Sequence, residues 1–232
     1  MNSAYVSEIY TSLQGEGPYT GERQIFFRLA GCPFRCDYCD TPDSLTSQGH
    51  TKMSVSESSA RIAALSLQDG LKTVSITGGE PLAHVSFLKE LLPLLKDKGF
   101  RIYLETAGIH FNAFDQINDY CDIVAMDIKL PSAIGRAYWD EHREFLKIGK
   151  GKIFVKIVIE QQSSDEELAA AVNLIGSITP PPLLVLQPVT PQLPFVPSPP
   201  QKTKMESFFS FAKKTLPYVH IMPQQHKIWG VR

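Results

Sequence analysis

The stretch QIFFRLAGCPFRCDYC, residues 24–39, sets an apolar run, a glycine and three cysteines end to end. Its first half, QIFFRLAG, is dominated by residues that suit a pleated, half-buried surface, so it predicts a strand that hands the chain to a loop. That loop carries Cys32, Cys36 and Cys39 at CxxxCxxC spacing. Three thiolates on one loop can converge on a single metal centre, and three protein ligands leave a cubane iron-sulfur cluster with one iron open. A zinc site that recruits His50 or Cys121 as fourth ligand is the competing reading of the spacing. Otherwise Cys121 stands alone before the run DIVAMDI, a position that suits a small core residue.

Working outward, a polar N-terminal segment precedes this strand, and strands and helices alternate after the cysteines. Ser54 with Glu57 forms a capping-box pattern ahead of a helix. KTVSIT then predicts a strand into Gly78 and Gly79, followed by a leucine-rich helix over 85–98. RIYLET, DIVAMDI, KIFVKIVIE and LLVLQP supply further strands, and Ser164 with Glu167 starts another helix that runs through Ile175. Strands separated by covering helices favour a parallel sheet. The dinucleotide-binding glycine fingerprint is missing, so the expected fold class is α/β, an incomplete TIM-like barrel of about six parallel strands with outer helices. The proline-rich stretch 188–200 is expected to cross the barrel mouth as a stiff loop. A helix over 204–216, a short YVHIM strand and the tail PQQHKIWGVR follow, and the whole chain, 1–232, is expected to form one domain.

The 23 basic and 24 acidic residues nearly cancel, with no polybasic run, so neither nucleic acid nor a membrane surface is an expected partner. The start MNSAYVSEIY lacks a basic segment followed by an apolar run, and the cytoplasm is the expected compartment. Four cysteines, three of them bunched, do not suit the disulfide framework of a secreted domain.

The triplet with Tyr38 before its third cysteine resembles the signature of the radical S-adenosylmethionine superfamily. TGGEP, residues 77–81, resembles that superfamily's glycine-glycine-glutamate element. Within the superfamily, SLQGEGPYTGERQIFFRLAGC is similar to the 7-carboxy-7-deazaguanine synthase family. The resemblance implies a 4Fe-4S cluster on Cys32, Cys36 and Cys39, with S-adenosylmethionine contacted by Tyr38, Gly78, Gly79, Glu80, Glu105, Thr106, Asp127, Lys129 and Gln187. It implies Mg2+ at Thr41, and the neighbouring Asp40 is open between an alternative ligand and a turn cap. It implies a pterin acid held by Leu13, Gln14, Gly15, Glu16, Arg28, Thr77, Gln224 and His226, with His226 also a proton relay. Related sequences often carry a polar residue where Ala107 stands, so a side-chain hydrogen bond is missing at that position. The implied reaction converts 6-carboxy-5,6,7,8-tetrahydropterin to 7-carboxy-7-deazaguanine with loss of ammonia, supplying queuosine and related nucleosides. A flavodoxin-type electron donor and a homodimer are implied as partners.

Physically, a carboxylate such as Glu16 accepts paired hydrogen bonds from an amino-pyrimidinone edge, and an arginine such as Arg28 grips a carboxylate. Arg28 paired with a structural acid is the competing reading. Lys156, inside FVKIVI, is open between a polar lumen and a buried structural place. Two other functions compete: a glycyl-radical activating enzyme, which shares the cysteine spacing, and a zinc-stabilised binding module without catalysis.

Overall fold

The computed structural model describes residues 2–149, 151–191 and 198–231. Its strands are β1 (Ser3–Leu13), β2 (Arg23–Leu29), β3 (Thr51–Ser54), β4 (Thr73–Gly78), β5 (Arg101–Thr106), β6 (Ile123–Asp127), β7 (Ile153–Ile159), β8 (Leu184–Pro188) and β9 (Val219–Ile221). The helices are α1 (Val55–Asp69), α2 (Val85–Asp97), α3 (Phe111–Asp115), α4 (Pro131–Ile134), α5 (Trp139–Ile148), α6 (Asp165–Gly176), α7 (Lys202–Thr215) and α8 (Gln225–Trp229). Among the described residues, nine strands form one sheet in the order β3-β1-β2-β4-β5-β6-β7-β8-β9. From β2 onward every neighbouring pair is parallel. The two ends of the order, β3 and β9, do not pair, so the barrel is incomplete as expected.

Each parallel step needs a crossover, and the helices between successive strands provide it. Their apolar stripes pack on one side of the sheet: Leu88, Leu91, Leu92 and Leu95 of α2 are fully buried with Val74 and Ile76 of β4. Strand side chains alternate faces. Thus Val155, Ile157 and Ile159 of β7 enter the helix-covered core, while Phe154, Lys156 and Val158 line the pocket on the other side. Ser54 and Ser164 both close the capping boxes expected of them. None of the helices described is long and apolar enough to cross a membrane.

The structure departs from the sequence reading chiefly at the two ends of the sheet. The polar N-terminal segment is β1, antiparallel to both β2 and β3. Only Ala4 and Val6 of it are fully buried, which leaves little apolar signal for what is mostly backbone pairing. With β9 the parallel strands number seven, one more than the estimate. Pro188 ends β8, as the expected strand LLVLQP has it, and residues 192–197 of the expected proline-rich loop lie outside the described residues.

Candidate active site

The C-terminal ends of the parallel strands, the loop after β1 and the tail before α8 converge on one pocket. Every site residue expected from the sequence lines it. The cysteine loop is anchored at its base, where Gly31 N–H donates to Ser44 O (2.8 Å) and Cys32 N–H to Leu45 O (3.1 Å). The turn after β4 clamps it from the side: Gly79 N–H donates to Leu29 O and Glu80 N–H to Gly31 O, each at 3.0 Å. Cys32, Cys36 and Cys39 are free thiols. Burial pushes the Cys36 thiol up to about 11, against the pull of Lys129, and raises Cys32 as well. Thiolates at such half-buried positions are favoured by a nearby cation, which a metal centre supplies. Neither His50, which meets Asp43 O at 2.7 Å, nor Cys121, which contacts Ile117 O, lines this pocket. The zinc reading therefore loses both of its candidate fourth ligands.

Glu80 is more occupied by the protein than the sequence suggests. One oxygen accepts from Leu82 N–H (3.0 Å) and Thr106 Oγ1 (2.8 Å), and the other from Ala107 N–H (2.9 Å). A carboxylate has about four lone-pair sites, so one direction remains for a ligand ammonium. Ala107, lacking a polar side chain, contributes here through its backbone. Glu105 faces the substrate-side residues instead, accepting from Gln14 Nε2 (2.9 Å), Ser75 Oγ (3.2 Å) and Thr77 Oγ1 (2.8 Å).

Across the pocket, Lys129 Nζ lies 2.8 Å from Asp127 Oδ2 and 5.0 Å from the centre of the Tyr38 ring. Asp127 Oδ1, Gln187 Oε1 and the Tyr38 hydroxyl are buried without hydrogen-bond partners among the described residues. Such orphaned polar atoms are costly unless a ligand meets them, and they fit a cofactor rich in hydroxyl and amino groups.

The loop after β1 is held to itself by Gln14 N–H to Glu22 O and Gly21 N–H to Gln14 O, both 2.8 Å. It presents Glu16 to Lys156, with Gln224 Nε2 at 2.7 Å and Gln187 Nε2 at 3.3 Å from its other oxygen. Burial alone would raise the Glu16 pKa, but the Lys156 ammonium overrides it and brings the carboxyl to about 2. Glu16 is therefore ionised at neutral pH. The tail docks on the same loop: Gln225 N–H donates to Gly15 O at 2.8 Å, and Gln224 also bonds Asp40 at 3.0 Å. Burial lowers the His226 pKa despite the nearby carboxylates of Glu16 and Asp40, so its imidazole is neutral at neutral pH. Glu16, Asp40 and His226 offer ligand atoms within 4.8 Å of one another, and Thr41 lines the same pocket. Arg28 satisfies both readings of it: Nε pairs with Glu8 at 2.9 Å and Nη2 reaches the Tyr10 hydroxyl at 3.1 Å, while the residue still lines the pocket.

Lys156, Tyr10 and Phe26 are among the members of this site that the sequence left unassigned. Lys156 has no local motif, and its role appears only when β7 places it beside Asp127 and Glu16. Tyr10 and Phe26, stacked at 5.2 Å along the wall, belong to a strand pair whose first member was not anticipated.

Comparison with known proteins gives the chain its relatives. Residues 28–172 match the family model of the Radical SAM superfamily. The chain is 35% identical to a 7-carboxy-7-deazaguanine synthase of Geobacter sulfurreducens, covering 98% of this chain and 97% of that one. It is 33% identical to the Methanocaldococcus jannaschii protein of the same name, covering 97% and 99%. Among solved structures, QueE from Escherichia coli superposes with a TM-score of 0.65 at 23% identity, over 97% of this chain and 95% of that one, a likeness of fold.

Proposed function

The chain belongs to the 7-carboxy-7-deazaguanine synthase family of the radical S-adenosylmethionine superfamily, and from that membership we propose that its pocket contracts the ring of 6-carboxy-5,6,7,8-tetrahydropterin. The products are 7-carboxy-7-deazaguanine, a precursor in deazapurine and queuosine biosynthesis, and ammonia. The observation that carries this reading is that one pocket holds both the three cysteines and the carboxylate-bearing loop of Gln14, Gly15 and Glu16.

Cys32, Cys36 and Cys39 are the residues that would hold the 4Fe-4S cluster, and Thr41, with Asp40 beside it, those that would hold Mg2+. When bound, the cluster and S-adenosylmethionine supply the hydrogen abstraction that no side chain here can perform. The protein's own work is positioning and exclusion of water. Asp127, Gln187, Tyr38, Lys129 and Thr106 line the cofactor half, with Gly78 and Gly79 bringing backbone close and Glu80 offering its remaining lone pair. In the substrate half, Glu16 accepts from the amino-pyrimidinone edge. Arg28 keeps guanidinium N–H donors for the substrate carboxylate after serving Glu8 and Tyr10. Leu13, Gln14, Thr77 and Gln224 complete that wall, and the neutral His226 imidazole is placed to accept a proton. A flavodoxin-type donor matches the need for single electrons, and the cytoplasm suits thiols that must stay reduced. Homodimerisation follows the family resemblance.

The direct test is an anaerobic assay with reconstituted protein, S-adenosylmethionine, reductant, Mg2+ and 6-carboxy-5,6,7,8-tetrahydropterin, followed by mass spectrometry. The expected product is 7-carboxy-7-deazaguanine. Release of 5'-deoxyadenosine without it would overturn the substrate assignment and leave the superfamily chemistry standing.

The tail is expected to shape substrate binding. A Cβ on Gly15 would meet Nδ1 of His226 and lie 2.6 Å from its Cβ and Cγ, so the tail would have to move. Gly15→Ala is expected to raise the pterin KM about tenfold or more, because small misplacements near a reacting ligand are costly. The visible absorbance of the cluster should not change, and an unaltered KM would show that the tail does not bear on substrate.

A further inference from the structure

Lys156 is a cation of the lumen that the roles above leave unused. It stands directly across from Asp127 in the parallel pair of β6 and β7. Its Nζ lies 3.1 Å from Asp127 Oδ2 and also contacts Glu16 Oε2. Four strands, β2, β4, β5 and β6, separate β1 from β7 in the sheet, so this one ammonium ties the loop after β1 to the far side of the pocket. The three side chains are only 14%, 12% and 20% exposed for Lys156, Asp127 and Glu16. Charges this withdrawn from water add little net stability, because desolvation cancels much of their attraction. Stability is therefore a poor reason for the arrangement, and orientation a better one. The neutral amides of Gln187 and Gln224 are, among the described residues, the other side-chain groups bonded to the Glu16 carboxylate. Among the described residues, Lys156 is the single cation paired with it. Without that cation, Glu16 would face Asp40 and Asp127 held through Oε1 alone, with Oε2 left free to swing.

We propose that Lys156 is a positioning residue that acts on the substrate through Glu16, aiming the carboxylate at the amino-pyrimidinone edge while Asp127 anchors the ammonium from the cofactor side. The inference rests on the ring-contraction reading and assigns one of its specificity contacts to a residue that need not touch the substrate. If Lys156 acts through Glu16, removing either group should remove the same contribution, and the two losses should not multiply.

The test is equilibrium binding without turnover. Oxidised 6-carboxypterin, which is fluorescent and keeps the amino-pyrimidinone edge and the carboxylate, is titrated into anaerobic holoenzyme. The series is wild type, Lys156→Met, Lys156→Arg, Glu16→Gln and the double variant Glu16→Gln/Lys156→Met. Lys156→Met is expected to weaken binding about tenfold, and the double variant to bind no more weakly than Glu16→Gln alone. Lys156→Arg, which keeps the charge, should recover most of the loss. In turnover the same factor should appear in the pterin KM, with kcat changed by less than about threefold. Losses that multiply in the double variant, or a Lys156→Met protein that binds as tightly as wild type, would overturn the proposal. Lys156→Gln takes the place of Lys156→Met in the cycle if the methionine variant loses its cluster absorbance or its cooperative melting. A wild-type holoenzyme that does not bind the pterin would instead overturn the ring-contraction reading itself.

Discussion

Replacing Gly79 by alanine is expected to strip the protein of most of its cluster and to lower its stability by about 3 kcal/mol. The new Cβ would run into the Gly31 carbonyl oxygen, with the Gly31 carbonyl carbon at 2.7 Å and Cys32 Cβ at 2.8 Å. Two of these atoms are backbone and the third belongs to a cysteine expected to bind iron, so none can swing aside. At this point the turn after β4 and the cysteine loop are joined by the Gly79 to Leu29 and Glu80 to Gly31 hydrogen bonds. A methyl group must part them, moving Cys32 away from Cys36 and Cys39. Visible absorbance and iron content after reconstitution, together with the thermal midpoint, measure the effect. A variant with full iron content and an unchanged midpoint would show that the two segments do not need this close approach.

The second large effect separates the four cysteines. Cys36→Ala is expected to bring product formation to background, because two thiolates do not hold a cubane cluster with one iron open. Cys121→Ala should keep both the cluster and the activity and lose only core packing, on the order of 1 kcal/mol. Cys121 is buried in the helix-covered core, with its thiol directed at Ile117 O and its pKa pushed up to about 12 by burial. Iron and sulfide analysis of the two purified variants decides the matter. Iron lost from the Cys121 variant, or retained in full by the Cys36 variant, would contradict the assignment.

What could be read along the chain was whatever depends on near neighbours. CxxxCxxC is such a feature, since loop geometry alone brings thiols three and four positions apart to one centre. The capping boxes at Ser54 and Ser164 and the apolar runs of β2 and β4–β8 are others, because backbone preference and face alternation repeat within a few residues. The same locality explains why β1 escaped notice: its pattern is weak, and its structure comes from pairing along β2 and β3.

Part of the membership of the pocket was also legible, because residues at the C-terminal ends of parallel strands share one mouth, while the loop of Gln14 to Glu16 and the tail of Gln224 and His226 were placed there by the family resemblance. Who bonds whom inside it was not. Glu16 meets Lys156 at a separation of 140 residues and Gln224 at 208, while Arg28 finds Glu8 through the antiparallel register of β1 and β2. Glu80 gives up lone pairs to Thr106 and Ala107 because β4 and β5 are neighbours in the sheet. Local sequence specifies the chemistry each side chain can offer. Its partner is chosen by strand order and register, which arise only when the crossovers have packed and which no short window of residues carries.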